Sequence, residues 1–203
     1  MTGQQALFTA YGAELVECWV WVDRSGMSRF LPLLLLASTV FVLSTAASAT
    51  VTERDTEFTL QGEGTFRWTL IRVFDARFYL GADTPAEADP LGNVPKRLEL
   101  KYAVSISAAD FIASGDKALR ANLSDEQLAS IQDEIDAINQ AYRDVSSGDR
   151  YTLTYIPGEG TTLALNDEVL TRIDSTEFGQ YYFHIWLGAE PVNERLRNRL
   201  LGR

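Results

Sequence analysis

The chain has 203 residues, with 18 basic against 28 acidic side chains and a net charge of −10 at neutral pH. A surface so acidic carries no basic footprint for nucleic acid and is repelled by anionic lipid. Cys18 and His184 stand alone as the chain's one cysteine and one histidine, too few for a disulfide, a thiolate-ligated metal or a histidine-cluster metal site. No metal and no cofactor is expected.

From the N-terminus, Ser28 and Arg29 give a short cationic start, residues 30–43 an almost unbroken apolar run of 14 residues, and Ala47-Ser48-Ala49 a small-residue cleavage site. That order of parts is a secretory signal peptide over residues 27–49, cleaved after Ala49. The run falls short of the ~18–20 residues that span a bilayer, so a retained membrane helix is the poorer reading. Residues 1–26 precede Met27 and read as an upstream start-site artefact or a disordered segment; their apolar cluster (Leu15, Val16, Trp19 to Val22) would otherwise suit a strand. The expected product is a periplasmic or secreted domain over 50–203, long enough to bury a core of its own and dependent on packing rather than disulfides.

Within 50–203, residues 58–60 and 66–80 are rich in aromatic and β-branched side chains, with Gln61-Gly62-Glu63-Gly64 read as a turn between strands. Residues 82–95 carry three prolines and a glycine and read as a loop; 97–104 alternate as a strand. Ser107-x-x-Asp110 opens a helix through about Leu119, and Ser124-Asp125-Glu126-Gln127 opens another whose apolar stripe runs Leu128, Ile131, Ile135, Ile138, Tyr142, Val145. That stripe suits packing on the domain's own sheet better than a coiled-coil partner. Residues 151–156, 161–165 and 169–173 read as short strands, 178–187 as one buried helix, and Pro191 as lying near the start of a last helix. Runs of strands separated from runs of helices predict an α+β domain, an antiparallel sheet with helices on one face.

Chemistry-bearing residues are sparse. There is no nucleophile motif, metalloprotease motif or phosphate loop, and Gly62-x-Gly64 leads into a strand rather than the helix a dinucleotide fingerprint requires. His184 sits in Tyr181-Tyr182-Phe183-His184-Ile185-Trp186 and reads as a core or cavity-edge residue. Asp133, Glu134 and Asp136 read as a solvated helix face. Arg67, Arg72, Asp75 and Arg77 interrupt a strand-like segment. An arginine there either grips a carboxylate or phenolate in a pocket, pairs with Asp75 or Glu99, or faces water.

Several blocks together resemble the chalcone isomerase-like superfamily. They are Gly62-x-Gly64-x-x-Arg67, Val73-Phe74-Asp75-Ala76-Arg77-Phe78-Tyr79-Leu80, Leu98 to Tyr102, Gly148-Asp149-x-Tyr151-x-Leu153-x-Tyr155-x-Pro157-Gly158-x-Gly160-Thr161, and Glu177-Phe178 through Trp186-Leu187-Gly188-x-x-Pro191. The similarity spans roughly 55–201 and is closest to a bacterial exported branch. It implies the open-faced β-sandwich of chalcone isomerase type, with a cleft between sheet and helices. The superfamily contains isomerases that close a chalcone to a flavanone and non-catalytic members that bind fatty acids. The resemblance maps the cleft arginine to Arg67 and the cleft tyrosine to Tyr102. Phe74 and Asp75 stand where plant isomerases place a threonine, and the tyrosine–asparagine pair has no match. The expected function is therefore non-catalytic binding of a small apolar or amphiphilic ligand such as a fatty acid. Arg67 would hold the head group, and Phe66, Trp68, Phe74, Phe178, Tyr182 and Trp186 are candidate walls. An isomerase acting by intramolecular addition and an interaction module without a ligand are the alternatives.

Overall fold

The computed structural model describes residues 49–203; the expectations for residues 1–26 and the signal peptide lie outside the described residues, Ala49 excepted. The chain first forms β1 (Thr50–Glu53), β2 (Thr56–Trp68), β3 (Ile71–Gly81) and β4 (Lys96–Tyr102), then α1 (Ala108–Asn122), α2 (Asp125–Ser130) and α3 (Gln132–Ala141). It continues with β5 (Arg150–Ile156), β6 (Gly160–Leu165), β7 (Glu168–Ile173), α4 (Thr176–Tyr181), α5 (His184–Leu187) and α6 (Glu194–Leu200). The strands form one seven-stranded antiparallel sheet in chain order, β1 to β7. This is the α+β architecture expected from the segregation of strand and helix signals.

Alternation assigns the two faces of the sheet. Phe74, Ala76, Phe78 and Leu80 of β3 pair in register with Tyr102, Leu100, Leu98 and Lys96 of β4, which pair with Tyr151, Leu153 and Tyr155 of β5. These residues are buried in one core with Leu119, Ile131, Ile135, Ile138, Phe178 and Trp186 of the helical segments. The opposite face carries Asp75, Arg77, Arg97, Glu99, Thr152 and Thr154. On that face Glu53 of β1 bonds Arg97 of β4 and the Thr154 hydroxyl of β5, although β1 pairs only with β2. The sheet is curled enough to bring its first strand over its middle. Arg97 and Glu99 are thereby almost wholly buried and bonded at 2.9 Å, which answers the need of a buried charge for a partner.

The glycine segment departs from expectation. Gly62 and Gly64 lie inside β2 rather than in a turn, and a bulge between Leu60 and Gly62 switches which face the side chains take. Before it, Phe58 and Leu60 pack with Tyr79 and Ile156 in a small cluster away from the helices; after it, Gly62, Gly64 and Phe66 face the helices. A β-carbon on Gly62 would stand 2.0 Å from the Arg199 carbonyl oxygen of α6, and one on Gly64 2.9 Å from Leu196. The glycines serve close approach of a helix. The turn is instead at Thr69-Leu70, with Thr69 at φ 54°.

The helix signals are right in position and too long in extent. Ser107 caps α1 through the Asp110 amide, and Ser124 with Gln127 forms a capping box on α2. The Leu128–Tyr142 stripe is broken at Ile131, whose φ of −123° and ψ of 17° separate α2 from α3. Residues 178–187 likewise split into α4 and α5, so that Tyr182 and Trp186 both reach the sheet. Asn193 caps α6, two residues after Pro191. Between β6 and β7 the chain turns at Asn166-Asp167, both residues at positive φ (49° and 71°), as a type I′ two-residue hairpin turn demands.

Candidate functional site

Sheet and helices do not close completely. Between them lies a cavity of about 560 Å³, within the range of small-molecule sites. Strand residues Phe66, Trp68, Phe74, Leu98, Leu100, Tyr102, Tyr151 and Leu153 form one wall. Phe111 and Ala118 of α1, Tyr142, Tyr182, and Ile185 and Trp186 of α5 form the other. The exposed side chains of Asp110, Ser114, Lys117 and Glu190 mark the opening.

The walls are held by an aromatic lattice. Phe66 and Phe74 lie 5.1 Å apart, Phe74 and Tyr102 5.6 Å, Tyr102 and Phe111 5.3 Å, and Phe111 stacks on Tyr142 at 5.6 Å. Edge-to-face pairs of this kind add stability beyond area burial and fix the rings as rigid walls. The rim is held separately: Asn122 donates to the carbonyls of Ala118 and Glu190 and accepts from the Glu190 amide. Arg197 donates to the carbonyls of Gly188 and Ala189.

Polar groups inside the cavity are few and neutral. Tyr142 and Tyr182 share a hydroxyl–hydroxyl bond of 3.0 Å. Tyr151 donates to the Arg143 carbonyl and accepts from the Arg143 amide, both at 2.8 Å. The Tyr102 hydroxyl and the Trp186 indole N–H find no hydrogen-bond partner among the described residues, though both side chains are at least nine-tenths buried and line the cavity. Burial pushes the Tyr142 hydroxyl up to about 12 and those of Tyr102 and Tyr182 well above their ordinary value, so all stay protonated near neutral pH. Lys117 is the one cation on the lining, opposed by Asp110 and Glu190.

Six of the eight candidate site residues expected from sequence, Phe66, Trp68, Phe74, Tyr102, Tyr182 and Trp186, are brought together on this lining. Arg67 is not. It lies at the exposed end of β2 between two cavity-facing neighbours, Phe66 and Trp68, and strand alternation turns it away from them. The place expected for Arg67 as the cavity's charged group is thus empty of it. Phe178 also lies outside the lining, stacked behind Tyr182 at 4.6 Å. Phe111, Tyr142, Tyr151 and Lys117 are lining residues that sequence reading did not single out. Nothing in a helical stripe distinguishes a ring that lines a void from one that fills a core. His184 donates from Nδ1 to the Tyr181 carbonyl at 3.0 Å and does not line the cavity.

A larger hollow of about 770 Å³ lies on the opposite face of the sheet. Three of its four arginines pair with carboxylates, Arg72 with Asp75, Arg77 with Glu63 and Arg150 with Asp167, and Arg199 and Lys101 also line it. No cluster of metal-ligating side chains occurs among the described residues.

A family model described as chalcone isomerase-like matches residues 40–202. The chain belongs to this family. Among solved structures, the Arabidopsis thaliana fatty-acid binding protein is similar at 15% identity and a TM-score of 0.55, covering 75% of this chain and 96% of its own. At that identity the likeness shows the fold: the curled antiparallel sheet with a helix layer is the chalcone isomerase-like fold. No curated protein matches the chain.

Proposed function

We propose that the protein is a non-catalytic, exported binder of a small apolar or amphiphilic molecule such as a fatty acid, held in the cavity between sheet and helices. The observation that carries the reading is the cavity itself: about 560 Å³, walled by rigid aromatic and aliphatic side chains, with two unpartnered hydrogen-bond donors inside. Both donors face the cavity space, where an acceptor on a ligand could bond them. The name of the similar Arabidopsis protein is in keeping with this ligand class. A head group would lie at the opening near Lys117, rather than at Arg67. The non-catalytic reading rests on the same inventory: an isomerase of this family's type stabilises a phenolate, and the interior groups here are neutral tyrosines, with Lys117 alone at the rim. Export rests on the signal-peptide pattern of residues 27–49.

Displacement of an environment-sensitive apolar fluorophore by medium- and long-chain fatty acids tests the binding reading. Ala118→Phe adds a ring into the cavity from α1 and is expected to abolish fluorophore binding while the circular dichroism stays that of the wild type. Undiminished binding to the filled cavity would place the ligand elsewhere.

A further inference from the structure

The tip of the β2–β3 hairpin is the most apolar exposed feature among the described residues. Trp68 is 69% exposed, Leu70 91% and Ile71 57%, three large apolar side chains within four consecutive residues. Monomer surfaces rarely display such a cluster without use. The turn is also an unusual one. Thr69 holds a φ of 54°, a conformation that β-branched residues avoid, and this leaves Leu70 at the apex. Arg67 and Arg72 flank the tip on either side. Trp68 belongs to the tip and to the cavity lining at once, with Phe66 and Val73 behind it.

We infer that this tip docks on the surface of a phospholipid bilayer, sinking Leu70 and Ile71 below the headgroups and setting Trp68 at the interface. Three observations select a bilayer over a protein. A four-residue tip offers far less than the ~800 Å² per partner that a stable protein interface buries, whereas an interface between water and lipid accepts single side chains. Tryptophan and arginine around an aliphatic apex is the pattern of interfacial anchoring, the ring at headgroup depth and the guanidinium on phosphate. Trp68 is also 69% exposed while lying on the cavity lining, so a docked tip sets an exposed edge of the cavity against the bilayer. The acidic net charge of −10 selects zwitterionic over anionic lipid. Docking does not require the ligand reading and can fail or succeed apart from it.

The full chain also carries the apolar run of residues 30–43, so the readout must come from the tip. A nitroxide label is placed at Leu70→Cys in a Cys18→Ser background, and at Asp133→Cys on the exposed face of α3 as a reference. Paramagnetic accessibility is then read with phosphatidylcholine vesicles. Docking predicts that the label at residue 70 becomes accessible to oxygen and shielded from a water-soluble nickel chelate, while residue 133 stays water-accessible. Adding Ile71→Glu should return residue 70 to water. A label at 70 that remains as nickel-accessible with vesicles as without them overturns the inference. So does immobilisation of that label by rising protein concentration alone, which would make a second copy the occupant. Fluorophore binding measured without vesicles is expected to be the same in the Ile71→Glu protein, and its loss in every variant would count against the ligand reading, not against docking.

Discussion

Tyr102 joins sequence, packing and function in one side chain. Its position on β4 turns the ring onto the helix-facing side, where Phe74, Phe111 and Tyr151 pack around it within 6.2 Å. Its hydroxyl has no hydrogen-bond partner among the described residues. Tyr102→Phe is therefore expected to leave thermal stability nearly unchanged. If a bound ligand accepts from that hydroxyl, affinity falls by about 1 kcal/mol, roughly five- to tenfold. Denaturation and titration on the same variant check both parts. Lys96 is the opposite case, a charge in the core with no solvent at all. It lies 5.3 Å from the Tyr155 and Phe183 ring centres and donates to the Gly92 carbonyl at 2.7 Å. Desolvation pulls its amine from 10.5 down to about 7, partly opposed by Asp89. The folded protein thus releases this proton at lower pH than the unfolded chain. Below pH 7 both states carry it and the cost of the buried charge is fully present; between about 7 and 10.5 the unfolded chain alone binds it, and stability rises with pH. Lys96→Met should flatten that rise, which is worth at most about 1.4 kcal/mol per pH unit, in denaturant melts at pH 6, 7.5 and 9.

At the scale of elements, the close approach of α6 to β2 depends on two glycines. The β-carbon of Gly62→Ala would meet the backbone carbonyls of Arg199 and Leu200 at 2.0 and 2.7 Å, and backbone cannot yield as a side-chain tip can. The expected loss is about 1–3 kcal/mol, seen as a midpoint lower by about 5 °C; an unchanged midpoint would mean that α6 packs more loosely than described. The same strand shows what sequence can and cannot convey. Strands β4 to β7 were legible because each is a short run rich in β-branched, aromatic and aliphatic side chains, and the turns from β5 to β6 and from β6 to β7 carry glycine, asparagine and aspartate. Helix starts were legible because Ser107 and Ser124 are caps followed by their partners three residues on. The bulge at Leu60–Gly62 was not, since it changes faces without changing composition, and glycines that permit contact look like glycines that permit turns. The breaks at Ile131 and after Tyr181 contain neither proline nor glycine. They come from tertiary packing, which directs successive rings to one sheet and overrides a continuous helix pattern. Arg67 was misplaced for a related reason. Its spacing from the glycines matched the family pattern, but the hairpin turns at Thr69 and leaves it at an exposed strand end.

For the molecule as a whole, the curled sheet separates two kinds of interior. One face is a charge network in which Arg97, Glu53 and Glu99 satisfy one another; the other is an aromatic core left partly unfilled. A void lined by rings that could have packed together forgoes dispersion contacts, so the cavity is a cost to the empty fold that a bound apolar molecule removes. Wall residues were readable from sequence as aromatic side chains alternating along the strands and clustered in residues 181–186; the void between them was not, since volume is a property of the assembled layers. The account stands on occupancy of that cavity. Native mass spectrometry of the protein purified from cells tests it most directly. A retained mass in the range of a small amphiphile is predicted. It should vanish on delipidation together with a fall in melting temperature, and should be missing from Ala118→Phe. A protein that emerges with its bare polypeptide mass and melts at the same temperature with or without added fatty acid would contradict the account.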